Sequence, residues 1–126
     1  MAMTEEGVLA LADRFISAVA AGDLDTVRSI YAPDAVIWNN YLRKPQTVDE
    51  NLVTLKWVTS NVKNMRYEEI RTITTSEGYV EQHMLRGTGP SGADLDLAAC
   101  LIVEVDDGRI TKLEEYFDSA ALGALQ

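Results

Sequence analysis

The sequence predicts a single α+β domain in which helices cover one face of a sheet. Three observations carry this. Apolar residues recur at helical spacing as far as residue 62. From residue 65 the period changes toward two, in runs separated by tight turns. The chain has 126 residues, 47% of them apolar and 25% charged, the size and balance of one domain with one core. Repeats, low-complexity segments and linkers are absent from the sequence, so the domain is expected to span 1–126.

Residues 4–21 read as a helix. Val8, Leu11, Ala12, Phe15, Ile16 and Val19 form one apolar stripe. Thr4 suits the N-cap, Glu5 and Glu6 suit the positive end of the dipole, and Gly22 suits the C′ position. Asp23 is placed to cap a short second helix carrying Leu24, Val27, Ile30 and Tyr31, which Pro33 ends. Residues 35–39 read as a short strand and 40–46 as a loop. Thr47 and Glu50 make a capping box for a third helix with Val48, Leu52, Leu55, Thr59 and Val62 on one face.

Four strands follow, at 65–75, 79–88, 95–105 and 109–117, with turns at Glu77-Gly78, Gly89-Pro90-Ser91-Gly92 and Asp107-Gly108. Neighbours this close in sequence should pair as an antiparallel meander. The run 95–105 is apolar at nearly every position. Both of its faces should therefore be shielded, one by the helices and the other by a second copy of the chain in a homodimer. Asp118 or Ser119 is placed to cap a short terminal helix.

Composition narrows the function classes. With 20 acidic and 11 basic residues the net charge is −9, which disfavours nucleic acid and anionic membranes as partners. One cysteine, Cys100, and one histidine, His83, permit neither a disulfide nor a Cys/His zinc site. The first fifteen residues lack a basic n-region and carry Glu5, Glu6 and Asp13, so no signal peptide is expected. No apolar run approaches the ~20 residues of a membrane span. Together with the lone thiol, these features point to a cytoplasmic protein.

Several local phrases resemble a known superfamily. Ala20-Ala21-Gly22-Asp23-Leu24-Asp25 and Ile30-Tyr31-Ala32-Pro33-Asp34-Ala35-Val36 look like the opening of the nuclear-transport-factor-2-like fold. Asp106-Asp107-Gly108-Arg109-Ile110-Thr111 and Glu115-Tyr116-Phe117-Asp118 look like its close. Within it the chain is similar to the SnoaL-like group, which includes polyketide cyclases and the limonene-epoxide-hydrolase type and shares its fold with ketosteroid isomerase. The resemblance implies a cone-shaped, curved antiparallel sheet around the N-terminal helices, a cystatin-like α+β barrel. It also implies an apolar pocket for a hydrophobic small molecule and homodimers through the outer sheet face. The fold hosts many reactions and also non-catalytic binding or dimerisation domains, so it does not fix the chemistry. The implied activity is a cyclase, isomerase, dehydratase or hydrolase that needs no cofactor and no metal.

Asp118 is the first catalytic candidate, because the resemblance places a carboxylate at the end of the last strand inside the pocket. A carboxyl among apolar groups holds its proton toward neutrality. Capping of the terminal helix is the alternative. Tyr116 shares strand parity with Asp118 and would offer a hydroxyl donor; a tyrosine donor in ketosteroid isomerase is a worked case of this device. His83 titrates near neutrality in its free form and would shuttle protons if it faced the pocket. Strand parity instead puts Gln82, Met84 and Arg86 on the pocket face and His83 on the other, while a bulge would reverse this. Asn39 sits where the epoxide-hydrolase type positions water, or else simply ends its strand. No Arg-x-Asp pair occurs in 81–86, which argues against that enzyme's triad. Trp38 and Tyr67 are candidate pocket aromatics, with ordinary core as the alternative. Cys100, without a basic sequence neighbour, reads as an inert buried thiol.

Overall fold

The structure, a computed structural model, describes residues 3–126; Met1 and Ala2, where the leader-free start is read, lie outside the described residues. Helix α1 runs Glu5–Ala21. The Thr4 hydroxyl accepts the Gly7 N–H at 3.0 Å, and Gly22 closes the helix in the left-handed region at φ 70, which glycine adopts without a Cβ clash. The Asp23 carboxylate caps α2, Leu24–Ile30, through the Thr26 N–H. Helix α3, Val48–Asn61, starts with the reciprocal capping box of Thr47 and Glu50. The apolar stripe of α1 is buried from Val8 to Val19 and forms the main core with Val27, Ile30, Tyr79, Leu101, Val103, Ile110 and Leu113.

The strands are β1 (Tyr31–Asn39), β2 (Lys63–Thr74), β3 (Gly78–Thr88), β4 (Asp94–Asp106) and β5 (Arg109–Phe117), in the sheet order β1-β5-β4-β3-β2. The meander β2–β5 is antiparallel throughout. The curved sheet is mixed and unclosed, because β1 pairs with β5 in parallel. Strand β1 starts at Tyr31, four residues before the expected start. Pro33 therefore lies inside it rather than behind a longer α2. An edge strand tolerates this, and the register shifts between Tyr31 and Val36.

Curvature comes from irregularities in the pairing. Strand β2 shifts register between Lys63 and Arg66 and between Glu68 and Arg71, with Asn64 and Glu69 at φ 54. Outside the second shift, the Arg86 guanidinium bonds to Glu68, Glu69 and Asp96. A further shift between Glu104 and Val105 puts Ile110 and Leu113 on the same face of β5 although they are three residues apart. A 3₁₀ segment, Ser119–Leu125, folds back against β4 and packs with Leu95, Leu97 and Ala99. At Gly89 its approach is so close that any side chain would strike the Ala124 carbonyl.

Strand β4 is shielded on one side only. Its inner residues Leu95, Leu97, Ala99, Leu101 and Val103 are buried, while Ala98 and Ile102 are exposed on the outer face.

Candidate functional site

Strand pairing fixes which side chains meet on the inner face. Cross-strand partners share a face, so Thr72, Glu81, Leu101, Glu115 and Asn39 form one row across all five strands. Two carboxyl groups thus face inward, separated by Leu101 and two strand spacings, about 10 Å at the backbone. His83 and Phe117 stand one step along, on either side of Ala99. Of these, Asn39, His83, Leu101, Glu115 and Phe117 line a cavity of about 380 Å³ between the sheet, α1, α3, the 40–46 loop and the 3₁₀ segment. Leu113, Leu97, Ile37, Phe15 and Leu55 supply much of its apolar wall. Tyr41, Leu42 and Trp57 are exposed and stand at its mouth.

Glu81 and His83 form a buried pair. His83 Nδ1 lies 2.8 Å from Glu81 Oε2, and the side chains are 2% and 1% exposed, so water competes little for this contact. The Thr72 hydroxyl donates to the other Glu81 oxygen at 3.3 Å. A carboxylate acceptor at Nδ1 places the neutral ring's proton there and leaves Nε2 with its lone pair. Nε2 has no protein hydrogen bond among the described residues, and His83 lines the cavity. The ring is fixed from the side by Tyr67, whose centroid is 4.6 Å away in an edge-to-face arrangement.

Glu115 faces the same space without a hydrogen-bond or salt-bridge partner among the described residues. Burial pushes its carboxyl above the usual range, and His83 pulls it only partly back. The Tyr67 hydroxyl is raised by burial, then by Glu115 and Glu81, so it stays a hydrogen-bond donor. Tyr31 is raised mainly by burial and donates to Asn51 Oδ1 at 2.9 Å. No group of three or more His, Cys, Asp or Glu side chains among the described residues is arranged to hold a metal ion.

The residues expected from the sequence separate into two sets. His83, Tyr67 and Asn39 line the cavity. Asn39 also uses its Oδ1 to accept the Tyr41 and Leu42 N–H groups, turning the chain out of β1. Gln82 and Met84 lie on the outer face, opposite to the parity reading, because Tyr79, Glu81, His83 and Leu85 take the inward positions of β3. Trp38 and Tyr116 pack against each other on the outer face, with ring centroids 5.3 Å apart and the planes tilted by 54°. Asp118 is exposed and caps the 3₁₀ segment through the Ala120 N–H at 3.1 Å. The last three correct the expected pocket positions for the same reason: Leu113 and Phe117 turn inward, so Glu115 does, and Glu114 and Tyr116 turn away. Gln82, Met84, Tyr116 and Asp118 instead rim an open groove around Cys100 on the outer face. That groove, which His83 also touches, lies on the sheet surface, whereas the inner cavity is enclosed by several elements and is lined by both His83 and Glu115.

Glu115 and Glu81 were missed as candidates. The Leu-x-x-x-Phe spacing that brackets Glu115 gives the inward parity of β5 directly. On β3 no such signal exists, because the inward residues Glu81 and His83 are polar and the outward Val80 and Met84 are apolar.

The chain folds as an unclosed α+β cone with an apolar cavity between sheet and helices and titratable groups on its inner wall. Its sequence places it further: the SnoaL-like domain profile matches residues 12–113, and the chain belongs to that family. No curated protein matches it in sequence. Among solved structures, it is similar to PrhC from Penicillium brasilianum at 16% identity and TM-score 0.85, over 98% of this chain and 87% of that one. It is also similar to an NTF2-like protein from Burkholderia xenovorans at 18% identity and TM-score 0.80, over 98% and 99%. A third is a ketosteroid isomerase-like protein from Catenulispora acidiphila in complex with trimethylamine, at 9% identity and TM-score 0.79, over 90% of each chain. At these identities the likeness shows the fold alone.

Proposed function

We propose that the chain, as one SnoaL-like domain over 1–126, is a cofactor-free acid-base enzyme acting on a hydrophobic small molecule in the inner cavity. The observation that carries this is the Glu81–His83 pair, its second ring nitrogen without a protein hydrogen bond, at the wall of an apolar chamber that Glu115 also lines. His83 Nε2 takes a proton from the substrate. Glu81 holds the ring's tautomer and stabilises the imidazolium that forms, the orienting role a carboxylate plays in catalytic triads. Glu115, whose carboxyl burial pushes toward the protonated form, returns a proton at a second position, and the Tyr67 hydroxyl donates to a developing oxyanion. Moving one proton off and another on is the shared requirement of isomerisation, dehydration and cyclisation. The outer face supports a homodimer, with Val36, Ile102 and Tyr116 left 41%, 42% and 47% exposed. A lone half-buried thiol suits the cytoplasm.

The test is a panel of hydrophobic ketones, epoxides and alcohols followed by proton NMR in D₂O. The wild type should exchange or transform at least one, and His83→Gln should slow it by about a hundredfold or more. Ligand binding without catalysis is the second reading, favoured by the outward turn of Asp118. It prevails if panel compounds bind in the cavity and none reacts.

A further inference from the structure

The polar groups on the cavity wall are unbalanced in sign. Glu115 and, behind His83, Glu81 contribute two carboxyl groups, while no Lys or Arg among the described residues lines the space. Arg86, the arginine closest in sequence to His83, points to the outer face and is held by three carboxylates. Glu115 lacks a partner of its own, in an environment where an unpaired acid is costly and an opposite charge is worth most. Tyr67, Tyr31, Phe15 and Phe117 line the same cavity, and an aromatic ring attracts a cation at its face through the ring quadrupole.

We infer that the cavity selects a hydrophobic molecule carrying a basic nitrogen, whose ammonium form pairs with Glu115, and rejects anionic analogues of the same shape. The inference rests on the proposal that the cavity is the ligand site. The ligand enters as the ammonium it already is in neutral water, any proton held on the Glu115 carboxyl passes to solvent water, and a carboxylate–ammonium pair remains in the cavity. An incoming carboxylate or phosphate would instead find no Lys or Arg side chain among the lining residues to pair with.

Three probes of similar size separate the possibilities: N,N-dimethylbenzylamine, benzyl methyl ether and phenylacetate, titrated calorimetrically against the full-length protein. The amine should bind about tenfold tighter than the ether, a difference of ~1.4 kcal/mol, and phenylacetate should bind most weakly. Glu115→Gln, which keeps the side-chain shape, should bring amine and ether to within about threefold of each other. The wild-type ranking stands as a test even if that variant does not fold. Equal binding of amine and ether, tighter binding of phenylacetate, or an amine preference that survives in Glu115→Gln would overturn this inference and leave the cavity reading intact. Binding of none of the three would overturn both.

Discussion

The two faces of the sheet are built from alternate residues of the same strands, yet they hold different chemistry. On β3 the inner set is Tyr79, Glu81, His83 and Leu85; the outer set is Val80, Gln82, Met84 and Arg86. On β5 the inner set is Leu113, Glu115 and Phe117; the outer set is Lys112, Glu114 and Tyr116. Judged by polarity alone, the inner face of β3 would be taken for the solvent side. The helices and the 3₁₀ segment reverse that by covering it, which desolvates Glu115 and closes the Glu81–His83 pair off from bulk water. The proposed ligand site falls on the covered inner face, and the proposed dimer contact on the half-exposed apolar outer face.

Breaking the inner pair should give the largest effect. His83→Gln is expected to lower turnover of any substrate from the panel by about 10²- to 10⁴-fold, while Asp118→Asn on the outer rim keeps it within about twofold. A rate assay on both variants, with circular dichroism to confirm folding, checks this. Neighbouring residues on opposite faces of β4 sharpen the contrast. Leu101 is 4% exposed and Ile102 is 42% exposed. Leu101→Ala should cost about 2–5 kcal/mol of unfolding free energy, and Ile102→Ala less than about 1 kcal/mol in the monomer, as read by urea denaturation. Ile102→Glu addresses association: light scattering should move from twice the 13.9 kDa chain mass to the chain mass itself.

A smaller effect follows from Glu115. Its folded pKa is raised from 4.5, so the native state holds a proton that the unfolded chain releases. Stability is therefore greatest below about pH 4.5 and falls as pH rises toward the folded value. Glu115→Gln lacks that slope. Its Tm should gain on the wild type across that interval by a few degrees, at roughly 4 °C per kcal/mol. A Tm difference independent of pH would contradict the buried placement.

Much of the fold was legible because its signals are local. Thr4, Gly22, Asp23 and the Thr47–Glu50 box each mark a helix end through their own hydrogen bonds, and these occur as the sequence implies. The four-strand meander follows from the turns at residues 75–78, 89–93 and 107–108. The length of β1 was not legible, because Pro33 reads as a stop unless the strand is known to lie at an edge. The site was half legible. His83, Tyr67 and Asn39 were singled out by residue type, but the face each occupies depends on pairing set by bulges in β2 and at Glu104–Val105. A one-residue shift exchanges the two faces, and it exchanged Glu115 for Tyr116 and Asp118. The alternating burial of β4, with Leu95, Leu97, Leu101 and Val103 inward and Asp96, Ala98 and Ile102 outward, carries the parity through the ladder to Glu81 and Glu115.

The two tryptophans report on the two faces separately, since Trp57 stands at the cavity mouth and Trp38 packs against Tyr116 outside. Two-dimensional ¹⁵N–¹H spectra during titration with benzyl methyl ether test the central claim directly. The Trp57 indole and the single imidazole, His83, should shift together along one binding curve while Trp38 stays fixed. Saturable shifts at Trp38 with an unmoved imidazole would place the ligand on the outer face and contradict the account.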